Sequence, residues 1–504
     1  MAHRPFAGRL VISAIAIALA PGCSGAGVSP APPARAAASQ SRAADGLAAP
    51  LHVPTMTFYQ GENENDDLPA SFMAANYTWT EQAADGAGAA AATAFAAAGG
   101  AHALVYTDPN ARNCTSNQPG TCDDIMSPQL DALGESSWLH GASGNRLYAR
   151  GQQRNYPLDA NFQAAWISSV KALFSAAQAW SPQQGGAVEL DTMNWTTLAA
   201  YDGAWGQSVE VQSDAQVLQA QEAVAAYSPG TSVLNGVDYD YPQNYDQLLS
   251  AVGANVSGAF NEDAFATDYG SGYMTATYPV TNAWQNQEDG ILDVLSHAKR
   301  DFVWMEGDPS PAHRLYGLAS YWLTYAHRSV LWEDFCAPDK TPGGYCNSTW
   351  ADAQVVPARP LQTATNLDIS TLQTGGLYRR EFASCYQAGQ PIGGCAALVN
   401  PTASTVAVPP LAQVYAGAIV LPAQSLWGGG AVTWTPTLPS SIGPNAAIIL
   451  DGGAPSGDPS PNHRPAASPN RGPKSQVPGK YWGSQGEQVG HSEGASPRNE
   501  AQVT

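Results

Sequence analysis

The chain has 504 residues, 22 Lys and Arg against 42 Asp and Glu, and a formal net charge of −20. That length leaves room for more than one domain. The charge argues against DNA, RNA or acidic polysaccharides as partners, since one polyanion would have to approach another, and is compatible with a neutral or cationic glycan.

In chain order, Arg4 and Arg9 precede an apolar run from Leu10 to Ala20 that is too short for a membrane span, so residues 1–22 read as an export signal. The run closes on Ala20-Pro21-Gly22-Cys23. This resembles a bacterial lipobox, which would leave Cys23 as a lipid-modified N-terminus; the alternative is cleavage among the small residues up to Ala38. The expected location is outside the cytoplasm, either lipid-anchored to the cell envelope or secreted, with membrane contact through that anchor alone. Residues 23–50 are Ala-, Pro-, Ser- and Gly-rich and residues 455–504 are a Pro/Gly/Ser/Asn tail; neither can bury a core.

Residues 51–355 alternate short apolar runs with Ala-rich amphipathic stretches, the pattern of repeated βα units. Eight strands are predicted: Met56 to Gln60, Ser71 to Tyr77, Ala103 to Asp108, Ala187 to Asp191, Ser232 to Val237, Val256 to Glu262, Phe302 to Glu306 and Ser329 to Asp334. Predicted helices run from Ala84 to Ala98, Ala160 to Ala177, Ala215 to Ala226, Asn244 to Val252, Gln287 to His297 and Ala312 to Ala326. The expected fold is α/β, a (β/α)8 TIM barrel. A doubly wound sheet is the rival, but it usually carries a Gly-rich phosphate turn after its first strand, where this chain has Gly61-Glu62-Asn63-Glu64. After a Pro-rich crossover at Val356 to Pro360, residues 356–454 read as a small antiparallel β domain packed on the barrel.

Cys114/Cys122, Cys336/Cys346 and Cys385/Cys395 form three local pairs, expected as loop disulfides in an oxidising compartment, although six cysteines allow other pairings. No CxxC or HExxH motif points to zinc, and the acidic loops lack an EF-hand pattern. No GxSxG elbow, P-loop or dinucleotide fingerprint stands in a strand-turn-helix setting. Neither metal nor cofactor is expected.

Among the predicted strands that end in a carboxylate, those ending in Asp191 and Glu262 supply the candidate pair at the C-terminal rim, where such barrels hold their chemistry. A carboxylate pair across a pocket is the minimal equipment for cleaving a glycosidic bond. Asp191 is the candidate nucleophile or general base and Glu262 the candidate general acid. Glu189 shares strand parity with Asp191, so either a bulge turns it away or it is a buried partner. Substrate contacts are expected from Tyr59, Asp108, Asn194, Trp195, Asn235, Asp238, Tyr239, Glu306 and Glu333, while Asn76, Tyr106, Trp79, Tyr241 and Trp304 also fall near predicted rim positions. Glu333 and Asp334 compete for one inward position.

The strand ending in Asp, the strand ending in Glu, Arg314-Leu315-Tyr316-Gly317-Leu318-Ala319-Ser320-Tyr321, Leu377-Tyr378-Arg379-Arg380-Glu381-Phe382 and Val399-Asn400-Pro401 follow one another in the chain. This order resembles the hypothetical glycosyl hydrolase families of (β/α)8 enzymes, distantly similar to polygalactosaminidase-like proteins and to the α-galactosidase clan. The resemblance spans roughly residues 55 to 450. It implies a glycosidase acting on a polysaccharide or oligosaccharide, with the carboxylates of the fourth and sixth strands as nucleophile and acid/base. Glu in place of Asp on the sixth strand is a departure that bears on stereochemistry. The reading from another class is a surface glycan-binding lipoprotein on a barrel scaffold without catalysis.

Overall fold

A computed structural model describes residues 50–59, 68–83, 86–108, 111–122, 127–140, 144–149, 152–154, 156, 158–168, 187–191, 219, 223, 231–235, 256–262, 264–265, 284–307, 309–335 and 349–452. The expected export signal, Cys23, Cys336, Cys346, Asn194, Trp195, Asp238, Tyr239, Tyr241 and the C-terminal tail lie outside the described residues. So does all of the predicted helix from Asn244 to Val252.

Eight strands close into a barrel: β1 (Thr55–Phe58), β2 (Trp79–Ala83), β3 (His102–Thr107), β4 (Ala187–Leu190), β5 (Thr231–Leu234), β6 (Val256–Asn261), β7 (Arg300–Glu306) and β8 (Ser329–Asp334). Each pairs in parallel with its neighbour in sequence, and β1 closes on β8 with Thr55 opposite Leu331. Closure disposes of the doubly wound alternative, which would leave two open sheet edges. The helices are α1 (Ala70–Asn76), α2 (Gly86–Ala97), α3 (Ser127–Leu133), α4 (160–168), α5 (Trp284–Ser296) and α6 (Pro311–Thr324). Between β3 and β4 a small antiparallel sheet of Ala111–Asn113, Gln152–Arg154 and Tyr148–Ala149 is inserted. The Cys114–Cys122 disulfide lies beside it.

The predicted second strand is a correction. Residues 70–76, Ala-Ser-Phe-Met-Ala-Ala-Asn, form α1, and β2 begins at Trp79. Ala and Met favour helix, whereas Trp79-Thr80 brings the aromatic and β-branched residues that suit a strand. The shift matters because it places Glu81 on the barrel wall.

Along each strand, side chains alternate between the barrel interior and the surrounding helices. Met56, Phe58, Trp79, Leu104, Val233, Phe260, Phe302, Val330 and Trp332 pack together inside the barrel, with Trp304 partly buried against them. Val303, Met305 and Leu331 face outward and join a larger core that includes α5, α6 and the C-terminal sheet.

That sheet runs β9 (Val355–Pro360), β10 (Leu377–Gln387), β11 (Gln390–Asn400), β12 (Gly417–Val420), β13 (Thr433–Thr435) and β14 (Ala446–Asp451), in the antiparallel order β9-β10-β11-β14-β12-β13. The stretch expected as a crossover at Val356 to Pro360 is strand β9. Its prolines are tolerated because β9 is an edge strand and need not donate on both sides. β10 and β11 turn through Ala388 and Gly389, both at positive φ, and Cys385–Cys395 ties this hairpin together.

Helix α6 is the joint between barrel and sheet. Pro311 starts it, the Ser310 hydroxyl accepts from the His313 amide, and its residues 316–324 are all buried. At Gly317 a Cβ would stand 2.5 Å from the Met305 sulfur on β7, so a larger residue there would require the Met305 side chain to move. Arg314, fully buried, donates to Asp352 at 2.8 Å and to the carbonyls of Pro309 and Pro422 at 2.6 Å, and stacks on Trp350 at 3.6 Å. At the other end of the helix, Arg380 donates to the carbonyls of Trp322, Leu323 and Tyr325, groups that a helix C-terminus leaves without internal partners. Glu381 accepts from the Tyr415 hydroxyl at 2.6 Å and from the Ala412 amide, and Asn400 ties Ser404, Ile442 and Gly443. The motif residues Arg314, Arg380, Glu381 and Asn400 therefore serve this joint and the sheet behind it, outside the barrel interior.

Candidate active site

The inward-facing positions at the C-terminal ends of the strands can be followed from the register. Trp79 faces in, hence Glu81 two residues on; Tyr106 lies beside Glu189 across the β3–β4 ladder; Phe260 leads to Glu262, and Trp332 to Asp334. Glu81 and Glu189 are almost fully buried, at 5 % and 1 % exposure. Their carboxyls share a hydrogen bond across β3, as the layered interior of such a barrel allows for alternate strands.

Burial, then the neighbouring charges of Asp191, Glu262 and Asp334, pushes the Glu81 carboxyl up to about 8, against the opposing pull of its bond to Glu189. The Glu189 carboxyl is held well above the usual range by burial, then by Glu81, Asp191 and Glu262. Two buried carboxyls this close hold at least one proton between them at neutral pH. Tyr106 donates its hydroxyl to Asp191 Oδ2 at 2.6 Å, and burial followed by the charges of Asp191 and Asp108 keeps that phenol protonated.

Below the acids lies an aromatic floor. Trp304 and Trp332 stack at 4.2 Å with 9° between their planes, and Phe260 stacks on Phe302 at 4.9 Å. Trp304 Nε1 is a buried polar atom with no hydrogen-bond partner among the described residues.

Asp191 and Glu262 thus both stand close enough to Glu81 and Glu189 to act on their protonation. Asp108 and Asn235 end β3 and β5 on the same inward parity, both buried, and the backbones of Asp191 and Asn235 are tied to the preceding strands at Thr107 and Leu190. The backbone of Glu306 ends β7 opposite Asp334; its side chain lies outside the described residues.

Tyr59 and Glu333 do not join this set. Phe58 and Trp332 take the inward positions, so the residues next to them face out. Tyr59 packs with Leu68, Met73, Tyr77 and Phe95 under α1 and α2. Glu333 hydrogen-bonds to Asp352 beside Arg314, its carboxyl raised by burial and then by Asp352. Asp334 takes the inward place for which the two compete in the sequence. Asn76 ends α1, donating to the Phe72 carbonyl at 2.9 Å, and Trp79 opens β2 at the far end of the barrel, so neither lies at the rim. Glu81 is the group that sequence reasoning missed; the signal was the Trp79-Thr80-Glu81-Gln82 run placed just ahead of the Ala-rich helix.

No family model matches the chain, and no curated protein matches its sequence. Among solved structures it is similar to Eubacterium rectale Amy13B, with a TM-score of 0.42 and 8% identity over 81% of this chain and 97% of that one. It is similar to Aspergillus fumigatus Ega3 in complex with galactosamine, with a TM-score of 0.30 and 13% identity over 52% of this chain and 78% of that one. It is also similar to the GH36 α-galactosidase AgaA of Geobacillus stearothermophilus, with a TM-score of 0.32 and 10% identity over 79% of this chain and 55% of that one. These are likenesses of fold, and the strand order alone makes this chain a closed (β/α)8 barrel followed by an antiparallel sheet.

Proposed function

We propose that the protein is a glycoside hydrolase acting on a neutral or cationic glycan, with Asp191 and Glu262 as its carboxylate pair. The observation that carries this reading is the convergence of the β4 and β6 carboxylates over the Glu81–Glu189 pair, inside an aromatic-floored barrel mouth. Tyr106 holds Asp191 as an acceptor, which suits a carboxylate that attacks the anomeric carbon or a water. Glu262 is the proton donor to the leaving oxygen.

Substrate contacts come from Asp108, Asn235 and Glu306, together with Asn194, Trp195, Asp238 and Tyr239 on the loops after β4 and β5. The buried Trp304 Nε1 offers a hydrogen bond that a sugar hydroxyl can satisfy. The same reading makes the protein an exported one, anchored through lipid at Cys23 or secreted.

The test is turnover of a panel of neutral and amino-sugar oligosaccharides by the native chain, Asp191→Asn and Glu262→Gln. Loss of turnover by at least about 100-fold in both variants, with binding retained, is the expected result. Unchanged turnover in either variant removes that residue from the pair. Binding without turnover by the native chain makes the barrel a glycan-binding scaffold. Product stereochemistry then reports the carboxyl separation: retention corresponds to about 5 to 5.5 Å and inversion to about 6.5 to 9.5 Å.

A further inference from the structure

The barrel is charge-polarised along its axis. At the C-terminal end, β3, β4 and β6 are each followed directly by an acid, Asp108, Asp191 and Glu262, and β7 and β8 end in Glu306 and Asp334. At the N-terminal end, none of the eight strands has an Asp or Glu within the four residues before it. That end carries His52, His102, His297, Lys299, Arg300, His327 and Arg328 instead. In a chain of net charge −20, such a segregation is not what a uniformly solvated surface would give.

These cations share one face. Asp301 on β7 bonds back to the Arg328 carbonyl, which sets Arg300 beside Arg328, and Lys299 donates to the Val256 carbonyl at the start of β6 at 2.6 Å. Arg300 stands over the Trp79 ring at 5.3 Å, and Trp79 stacks on His102 at 4.2 Å. Among the described residues no carboxylate pairs with Arg300 or Arg328. Burial and then the charge of Arg328 depress Lys299, Arg300 and His327, so the group is mutually repulsive. Two acids lie close by. Asp301 is buried at 1 % exposure with its carboxyl pushed well up by burial, and Asp293 lies 3.9 Å from His297 one helical turn away. β1 starts at this end, where the Pro54 carbonyl accepts from the Leu331 amide.

We propose that the N-terminal end of the barrel is a docking face for an anionic lipid surface, which turns the acidic mouth outward. Lys and Arg near an anionic bilayer gain affinity, and the acids across the barrel lie beyond the screening length and oppose it weakly. The lipid anchor itself belongs to the reading above; the face is independent of it and of catalysis. Helix C-termini crowd this end and favour cations by themselves, so the experiment has to separate a binding face from dipole complementation.

The full chain bearing Cys23→Ser, which removes any lipid, is sedimented at about 50 mM salt with vesicles of phosphatidylcholine alone or with phosphatidylglycerol added. The expected result is at least about ten-fold stronger partition onto the anionic vesicles, lost at high salt. Arg328→Gln should weaken it about five-fold and the double variant Lys299→Gln, Arg328→Gln about 25-fold. Ala132→Glu, which changes net charge by the same single unit as Arg328→Gln but sits on α3, should leave it unchanged. Equal binding to both vesicle types overturns the proposal, as does an Ala132→Glu effect as large as that of Arg328→Gln. Displacement by millimolar inorganic phosphate at constant ionic strength also overturns it, showing a phosphate site instead. If Arg328→Gln lowers the thermal midpoint, Lys299→Gln alone decides the mutational arm.

Discussion

Replacing Glu81 by Gln tests the buried acid pair directly. Glu81 ionises at about 8 in the folded chain against 4.5 for an ordinary glutamate. Between those values the native state holds a proton that the unfolded state has released, so this contribution to stability is full below about pH 4.5 and is lost as pH rises towards 8. The slope is about 1.4 kcal/mol per pH unit, and the full span is on the order of 5 kcal/mol, an upper figure because Glu189 shares the proton. Gln has the same size, can still hydrogen-bond Glu189 and never ionises. The variant should therefore match the native chain near pH 5 and exceed it by about 3 kcal/mol near pH 7. In a chain of this size that is about 3 to 4 °C in thermal midpoint. Thermal unfolding of both proteins from pH 5 to 8, followed by near-UV circular dichroism, measures the difference. Parallel curves with the same slope would refute a Glu81–Glu189 pair sharing a proton.

Arg314→Ala strips the counter-charge from Asp352 and Glu333 and leaves Trp350 without its stacking partner. The expected loss is about 3 to 5 kcal/mol by urea denaturation, with Arg314→Lys recovering only part of it because an ammonium cannot fork to Asp352 and two carbonyls. Cys385→Ser with Cys395→Ser opens a loop of sequence separation 10 on the β10–β11 hairpin and should cost about 2 to 3 kcal/mol. Because Cys114–Cys122 is open to reductant in both proteins, the extra loss that reductant causes in the native chain over the variant should match this figure and assigns it to Cys385–Cys395.

The elements most legible in the sequence are those whose apolar runs have no competing reading. β3, β4 and β6 start within one residue of prediction, and β8 matches at both ends, because Val, Leu and Phe runs bounded by Gly, Asn and acids suit only a buried strand. β2 was lost because Ser71 to Tyr77 carries enough bulky residues to pass for a strand, while its Met-Ala-Ala core prefers helix once it can lie on the barrel wall. β9 was lost to Pro357 and Pro360, which exclude a central strand but not an edge. For the site, Asp191 and Glu262 could be named because each directly follows a strand. Which of two adjacent residues turns inward depends on register, and so Tyr59 and Glu333 fell on the wrong face.

By itself, then, the sequence determined the repeated βα pattern, the acidic strand ends and the cysteine pairs, because periodicity and turn chemistry are local. Only the tertiary structure decided that Glu81 reaches across β3 to Glu189, that Asp334 rather than Glu333 faces the mouth, and that the motif arginines clasp α6 instead of lining the site. Those outcomes depend on barrel closure, which fixes the inward parity of each strand from neighbours more than 20 residues away in the chain. The axial charge segregation sits between the two. Each charge is written locally, but the two ends acquire opposite signs only when eight parallel strands align.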